Sequence, residues 1–418
     1  MLYNTYELQR SMLDAASIAA TAGATWWNNV LNPLAYTKTG NLVSSALEVF
    51  AHAAAPYGKP EFGFSHTVCD GQEVAVTEEV LVDKPFGRLL RFAREGRQGD
   101  PKLLIVAPMS GHYATLLRGT VERMLPRHDV HITDWADAKM VPLSAGSFDL
   151  DDYIDYVIEF LRHMGPGTHI MAVCQPAVPV YAALCLMGGA EDPCTPVSAT
   201  LMGGPVDPRQ SPTAVNTLAT RRPFTWFEHN VIAEVPVSYP GAGRRVYPGF
   251  LQLAGFMSMN LGAHMVSHWE MFKHLVQGDD EEAEATKAFY EEYRSVADID
   301  AAFYLQTIDV VFQRHLLPKG QFFHRGVRAD PAAVRTPILA IEGERDDISG
   351  LGQTQAALTL STGLPQAARK HHIAMGAGHY GIFNGRRWRE QIAPVVDDWI
   401  ARWAAKPLRL SRLQVVAG

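Results

Sequence analysis

Twenty-one consecutive residues, Ile170 to Ala190, carry no charge, and the way this run is punctuated leaves few folds open. Thr168 to Val173 is β-branched and apolar, as expected for a strand buried on both faces. Pro176 and Pro179 follow at once, where the first turn of a helix has no use for the N–H groups they lack. The spacing therefore predicts a buried strand that turns sharply into a core helix at Cys174-Gln175. Neither half is long enough to cross a bilayer, so no transmembrane helix is predicted. A thiol at this corner faces a helix N-terminus, where the dipole favours an anion. A cysteine whose ordinary pKa is about 8.5 is more readily a thiolate there.

The rest of the chain supplies the sheet that such a corner needs. Val76 to Leu81 and Leu89 to Phe92 flank a turn at Pro85-Phe86-Gly87 and read as paired strands. Leu103 to Ala107, Val130 to Thr133, Ser198 to Met202 and Thr336 to Ile341 are short apolar runs separated by helical patterns over 114–124 and 151–164. The second helix follows the acidic cap Asp149-Leu150-Asp151-Asp152, and this alternation predicts a parallel α/β sheet. A last strand, His372 to Met375, and a helix over 387–403 close it. Regularity fails between Gly203 and Arg335, where Phe224, Trp226, Phe227, Tyr239, Tyr247, Phe250, Phe256, Trp269 and Phe272 crowd a partly helical stretch. We read that stretch as a cap inserted over the active face. Before the sheet, Leu8, Met12, Ala15, Ile18 and Ala22 recur every three or four residues, an amphipathic helix. An irregular segment follows to about residue 75, with a helical patch over 46–55. The expected organisation is 1–75 packing on the core or on a substrate surface, 76–203 as the first half of the core, 204–335 as the cap and 336–418 as the second half.

Composition excludes some functions. The chain has 418 residues, 19% charged and 47% hydrophobic, with a net charge of −7. No basic run exceeds Arg221-Arg222 or Arg244-Arg245, so nucleic acid is not an expected partner. The four cysteines, Cys69, Cys174, Cys185 and Cys194, show no C-x-x-C or zinc-type spacing, which fits a reducing, cytoplasmic setting. Glu7 and Asp14 interrupt what a signal peptide would keep apolar. His264 and His268 share a helical spacing, yet no third ligand at useful distance accompanies them and HExxH is absent, so neither metal nor other cofactor is expected.

Two later strand ends carry what a thiol nucleophile needs. Glu342-Gly343-Glu344-Arg345-Asp346-Asp347 follows one apolar run, and Gly376-Ala377-Gly378-His379 follows the last. Nucleophile, acid, histidine is the chain order of the α/β-hydrolase fold. That fold is the expectation here: a mostly parallel central sheet with the helical, aromatic cap inserted between the nucleophile half and the acid/His half. His379 is the expected general base. Asp346 is the expected partner that orients its ring, with Asp347 as rival. The backbone N–H of Gln175 and one from Met109 or Ser110 are the expected oxyanion donors. His112, beside that loop, is a candidate substrate contact or a structural residue. Cys69, Cys185 and Cys194 read as structural. The corner departs from G-x-S-x-G, since Ala172 and Pro176 stand where the glycines would be.

Stretches spread along nearly the whole chain resemble the intracellular poly(3-hydroxybutyrate) depolymerases: APMSGHYATLLRGT from 107, TDWADAKMVP from 133, VCQPAVPV from 173, MGGPVD from 202, SPTAVNTLA from 211, YPGAGRRVYPGFLQ from 239, EGERDDISG from 342 and GHYGIFNGRRWRE from 378. The resemblance implies a cysteine-type α/β hydrolase that cleaves the ester bonds of a hydroxyalkanoate storage polymer. The family's Cys, Asp and His then fall on Cys174, Asp346 and His379. It also implies a cytoplasmic protein associated with polyester granules, using no cofactor and open to homo-oligomerisation. The related polyester synthases keep glycines on both sides of their cysteine and a His after their acid, where this chain has Pro176 and Asp347. A cysteine acyltransferase of that synthase type, or a non-catalytic granule-coat protein, is the alternative.

Overall fold

The computed structural model describes residues 2–259, 287 and 290–404. Fourteen strands occur among the described residues: β1 (His66–Cys69), β2 (Gln72–Lys84), β3 (Gly87–Arg94), β4 (Lys102–Val106), β5 (Asp129–Trp135), β6 (His169–Val173), β7 (Ser198–Met202), β8 (Ala233–Glu234), β9 (Arg245–Tyr247), β10 (Ile299–Asp300), β11 (Phe323–His324), β12 (Val327–Arg328), β13 (Ile338–Gly343) and β14 (Arg369–Ala374). Nine of them form one sheet in the order β1-β2-β3-β5-β4-β6-β7-β13-β14. Pairing is antiparallel through β1, β2, β3 and β5 and parallel from β5 to β14. This is the α/β-hydrolase fold. Its parallel strands are apolar along their length because helices cover both faces.

Helix α1 runs over Leu2–Trp27, α2 over Lys38–Ala54, α3 over Arg118–Met124, α4 over Leu150–Met164 and α5 over Ala177–Gly189. In α4 the buried positions Leu150, Tyr153, Ile154, Val157, Phe160, Leu161 and Met164 recur every three or four residues, one stripe facing the sheet. Its start is fixed by a reciprocal pair: the Asp152 N–H donates to Asp149 Oδ1 and the Asp149 N–H to Asp152 Oδ2, each at 2.9 Å. A capping box of this kind is worth about 1 kcal/mol. Helix α5 is buried almost all round, as its uncharged sequence requires.

Two elements differ from expectation. Helix α2 starts at Lys38, well before the patch over 46–55, because the Thr37 hydroxyl accepts the Gly40 N–H at 3.0 Å and offsets the poor helix formers at 40–45. Strand β14 starts at Arg369, three residues before the apolar signal. It is the edge strand, so Arg369, Lys370, His371 and His372 keep one side toward solvent.

Helices α1 and α2 pair through small residues. Ser17, Ala20 and Ala24 are buried on α1, and the Ser17 hydroxyl donates to the Ala51 carbonyl at 2.8 Å. The chain ahead of the sheet is anchored at its start, where the Tyr3 hydroxyl donates to Asp298 at 2.6 Å.

Between β7 and β13 the chain leaves the sheet. There it forms α6 (Ala214–Arg221), α7 (Phe224–Asn230), α8 (Gly249–Met259), the three-stranded patch β10-β9-β8 and a helix over Ala301–Thr307. His264, His268, Trp269, Phe272 and the Phe256 side chain lie outside the described residues. The insertion returns over the loop after β4: the Ala297 N–H donates to the Gly111 carbonyl at 2.6 Å, and the Asp298 N–H to Asp137 at 3.0 Å. Inside the same segment the buried Arg244 spans Asp300 at 2.7 Å and the carbonyls of Val141, Pro142 and Gly146. No helix among the described residues is long and apolar enough to cross a membrane.

Candidate active site

The strand-to-helix corner holds Cys174 at φ 69°, a left-handed conformation that a residue with a Cβ adopts only when its surroundings enforce it. Two backbone hydrogen bonds do so here. The Cys174 N–H donates to the Met202 carbonyl at 2.7 Å, and the Cys174 carbonyl accepts the Ala177 N–H at 3.0 Å. Pro176 then starts the helix at φ −58°, ψ −16°, a geometry its ring favours.

The room that a corner glycine would give comes from elsewhere. A Cβ on Gly204 would lie 2.2 Å from the Ala177 Cβ and 2.4 Å from the Cys174 carbonyl oxygen, so it is the bare backbone after β7 that lets the corner close up. The Thr354 hydroxyl fixes that backbone, accepting the Gly204 N–H at 2.8 Å and donating to the Gly204 carbonyl at 3.0 Å. Sequence reasoning missed Gly204. The Gly203-Gly204 pair after a buried strand was the signal that could have found it.

His379 is buried and reaches both ways. Its Nδ1 lies 2.8 Å from Asp346 Oδ2; a carboxylate only accepts, so Nδ1 carries the proton and Nε2 is left for sulfur. The ring also hydrogen-bonds the Cys174 side chain. Tyr380 and Phe383 meet the imidazole edge to face, with ring centres 5.8 and 5.7 Å away. Asp346 is held in turn, its Oδ1 accepting the N–H groups of Ile348 at 2.9 Å and Ser349 at 2.8 Å. Asp347 is exposed. Beneath the pair lies Gly203 at φ 56°, where a Cβ would come within 3.3 Å of Asp346 Oδ2 and 3.4 Å of His379 Cε1.

Electrostatics favours the protonated form of the His379 imidazole. Burial by itself pulls the His379 pKa down, but the neighbouring Cys174 and Asp346 outweigh it and hold the imidazole well above its ordinary value. The imidazole is thereby the favoured holder of a proton in this site.

The loop after β4 comes up to the same corner. Where β4 ends, the Ala107 N–H donates to the Thr133 hydroxyl at 2.9 Å, and its carbonyl accepts Trp135 Nε1–H at 2.8 Å and the Tyr153 hydroxyl at 3.1 Å. From that anchor the Met109 N–H points at Gln175, donating to Oε1 at 3.2 Å. His112 is buried, with Nε2 3.0 Å from the Tyr293 carbonyl. Burial lowers its pKa to about 4 against the pull of that hydrogen bond, so at neutral pH it is an uncharged donor.

Cys174, Gln175, Met109, Ser110, His112 and His379 all border one cavity of about 420 Å³. Its walls are apolar, with Leu116 and Val178 from the core and Phe227, Phe303 and Val311 from the insertion. The sequence contained these wall residues but no way to aim them at the thiol. A more open groove of about 790 Å³ beside α1 and α2 includes none of the candidate residues. No group of three metal-binding side chains occurs among the described residues.

Residues 203–404 match the family model described as PHB de-polymerase C-terminus. No curated protein matches the chain. Among solved structures, the chain is similar to a thermophilic esterase from Thermogutta terrifontis, with 13% identity, 82% of this chain and 98% of that one covered and a TM-score of 0.41. It is also similar to a 2-hydroxy-6-oxo-6-phenylhexa-2,4-dienoate hydrolase from Rhodococcus sp. strain RHA1, with 11% identity, 79% and 99% covered and a TM-score of 0.42. A naproxen esterase from Bacillus subtilis is a third, with 13% identity, 79% and 92% covered and a TM-score of 0.41.

Proposed function

We propose that this protein hydrolyses the ester bonds of a poly(3-hydroxybutyrate)-type storage polyester, with Cys174 as nucleophile, His379 as general base and acid, and Asp346 as the residue that orients His379. The observation that carries the proposal is the contact of His379 with the Cys174 thiol and Asp346 at the floor of an apolar cavity. The depolymerase-type family match over 203–404 supports the substrate class.

In this mechanism the Cys174 thiolate attacks the ester carbonyl and a C–S bond forms. The oxyanion takes the Gln175 and Met109 or Ser110 N–H groups, the Met109 donor leaving Gln175 Oε1 as the carbonyl oxygen arrives. The C–O bond breaks, and the leaving alkoxide takes the proton from His379 Nε2. Water then gives a proton to His379 while its oxygen attacks the thioester, releasing the hydroxy acid and restoring the thiolate. Residues 204–335 act as the cap, and His112, neutral and buried, contacts the substrate from the oxyanion side. The test is acid release from amorphous polymer granules with products identified by mass. Clearing of turbidity with release of 3-hydroxybutyrate or its oligomers is expected. Polymer growth from hydroxyacyl thioesters would favour the synthase alternative, and binding with no chemistry the coat alternative.

The same proposal places the protein in the cytoplasm at the granule surface, docked through the N-terminal helices. Helix α1 is inverted: small residues face α2, whereas Leu8, Met12, Ile18 and Trp26 are exposed. From Ala15 to Thr37 there is no charged residue, and the exposed Val30, Leu31, Leu34 and Tyr36 continue the patch. A bilayer-binding helix ordinarily adds Lys or Arg for anionic headgroups; a charge-free face suits a neutral polyester. Leu8→Glu/Met12→Glu/Trp26→Glu is expected to weaken co-sedimentation with granules by at least about tenfold, since each apolar side chain removed from water contributes about 1.5–3 kcal/mol at full burial. Undiminished co-sedimentation, or a change confined to oligomeric state on a sizing column, would refute this docking face.

A further inference from the structure

One donor that an ester oxygen would need is already taken. The Met109 N–H, on the loop that comes up to the nucleophile corner, gives its hydrogen bond to Gln175 Oε1 at 3.2 Å. That oxygen is an amide carbonyl, an acceptor of the same kind as an ester carbonyl, and it belongs to the residue directly after Cys174. Cys174, Gln175 and Met109 all border the cavity, and Gln175 is half-buried, so its side chain has room to swing away from Met109. The contact is not what holds either loop in place. On one side of Met109, Ala107 is tied to Thr133, Trp135 and Tyr153. On the other, the Gly111 carbonyl accepts the Ala297 N–H at 2.6 Å, and a Cβ on Gly111, at φ 98°, would meet Gln252 Oε1 at 2.8 Å. The corner itself is fixed by the backbone bonds of Cys174 with Met202 and Ala177. What the Gln175 amide adds is an acceptor on the N–H that the substrate oxygen has to reach.

We infer that the Gln175 side chain is an internal occupant of the oxyanion hole: it holds the Met109 N–H in the resting protein, and every substrate displaces it as the oxyanion forms. This rests on the ester-hydrolase proposal above and adds a residue that restrains that activity. Releasing the protein's own acceptor raises the barrier between free enzyme and transition state by the net worth of one hydrogen bond, a factor of about three to ten in kcat/KM. The factor is the same for every acyl chain, because the bond that breaks is within the protein. A side chain that acted through the shape of the cavity would instead weigh differently on short and long acyl groups.

The test compares kcat/KM on butyryl and hexanoyl aryl esters for the wild type, Gln175→Met and Gln175→Ala, with thermal melting as the check of fold. Methionine keeps the length of the side chain without its oxygen, and alanine removes both. Each variant is expected to raise kcat/KM by about three- to tenfold, equally on the two esters. Each is also expected to bind a trifluoromethyl ketone more tightly by the same factor, since that inhibitor forms a C–S bond to Cys174 and leaves an oxyanion in the hole. A kcat/KM unchanged or lowered in Gln175→Met would overturn the inference and make the amide a positioning group for the Met109 N–H. So would a variant that fails to fold, since the contact would then be holding the loops. A gain confined to Gln175→Ala on the hexanoyl ester would trace to an enlarged cavity and overturn it as well. Turnover that persists in Cys174→Ala would instead overturn the functional proposal, and no turnover of either ester by the wild type would overturn both.

Discussion

Cys174→Ala is expected to lower ester turnover by at least about three orders of magnitude while leaving the fold intact, since losing a nucleophile removes the covalent route and leaves only binding and the oxyanion donors. Alanine suits the test because it keeps the Cβ. The left-handed corner at φ 69° is therefore no more strained than with cysteine, and the Cys174 N–H bond to Met202 and the Ala177 N–H bond to residue 174 are both backbone. Thermal stability should remain near that of the wild type. Initial rates on a soluble 3-hydroxybutyryl ester and acid release from granules give the result. Activity retained within about tenfold, in a variant shown folded, would mean that another group attacks the ester.

Asp346→Asn is expected to produce the second largest loss, about a thousandfold in kcat, whereas Asp347→Asn should change it by no more than a few fold. Asparagine can present an NH2 group where His379 needs an acceptor for Nδ1–H, so the imidazole is held in the wrong tautomer. Asp347 is exposed and stands one residue beyond the carboxylate that His379 meets at 2.8 Å. The pH profile gives an independent sign. Burial lowers the His379 pKa, while Cys174 and Asp346 raise it above its ordinary value. Removing the Asp346 charge must let it fall. Imidazolium is the form that protonates the leaving alkoxide, and it exists below the pKa, so the alkaline limb of kcat/KM should move to lower pH in Asp346→Asn. An alkaline limb that stays in place, or an equal loss in Asp347→Asn, would reverse the assignment of the two acids.

The parts of the fold that depend on local pattern were legible in the sequence. Leu103 to Ala107 and Ser198 to Met202 could hardly be anything but buried strands, and the acidic cluster at 149–152 marked the start of α4. The histidine and acid could be picked because they follow strand ends, and the structure brings His379 to both Asp346 and Cys174. What depends on distant neighbours was not legible. Gly204 makes room for a corner thirty residues earlier in the chain, a relation set by the pairing of β6 with β7 and by no local propensity. Met109 and Ser110 could be named as oxyanion candidates, but the hydrogen bond from the Met109 N–H to Gln175 needed both loops in place. The periodicity of α1 revealed a helix without saying which face was inside. Close packing against α2 by Ser17, Ala20 and Ala24 turned the larger apolar residues outward.

The most direct test of the central claim is to quench the protein during turnover of a 3-hydroxybutyryl ester and locate the acyl group by intact mass and peptide mapping. A hydroxybutyryl thioester on Cys174, labile to hydroxylamine and accumulating further when His379 is replaced by a weaker base, is the expected result. Turnover with the acyl group on any other side chain, or with no covalent adduct under conditions that trap thioesters, would contradict it.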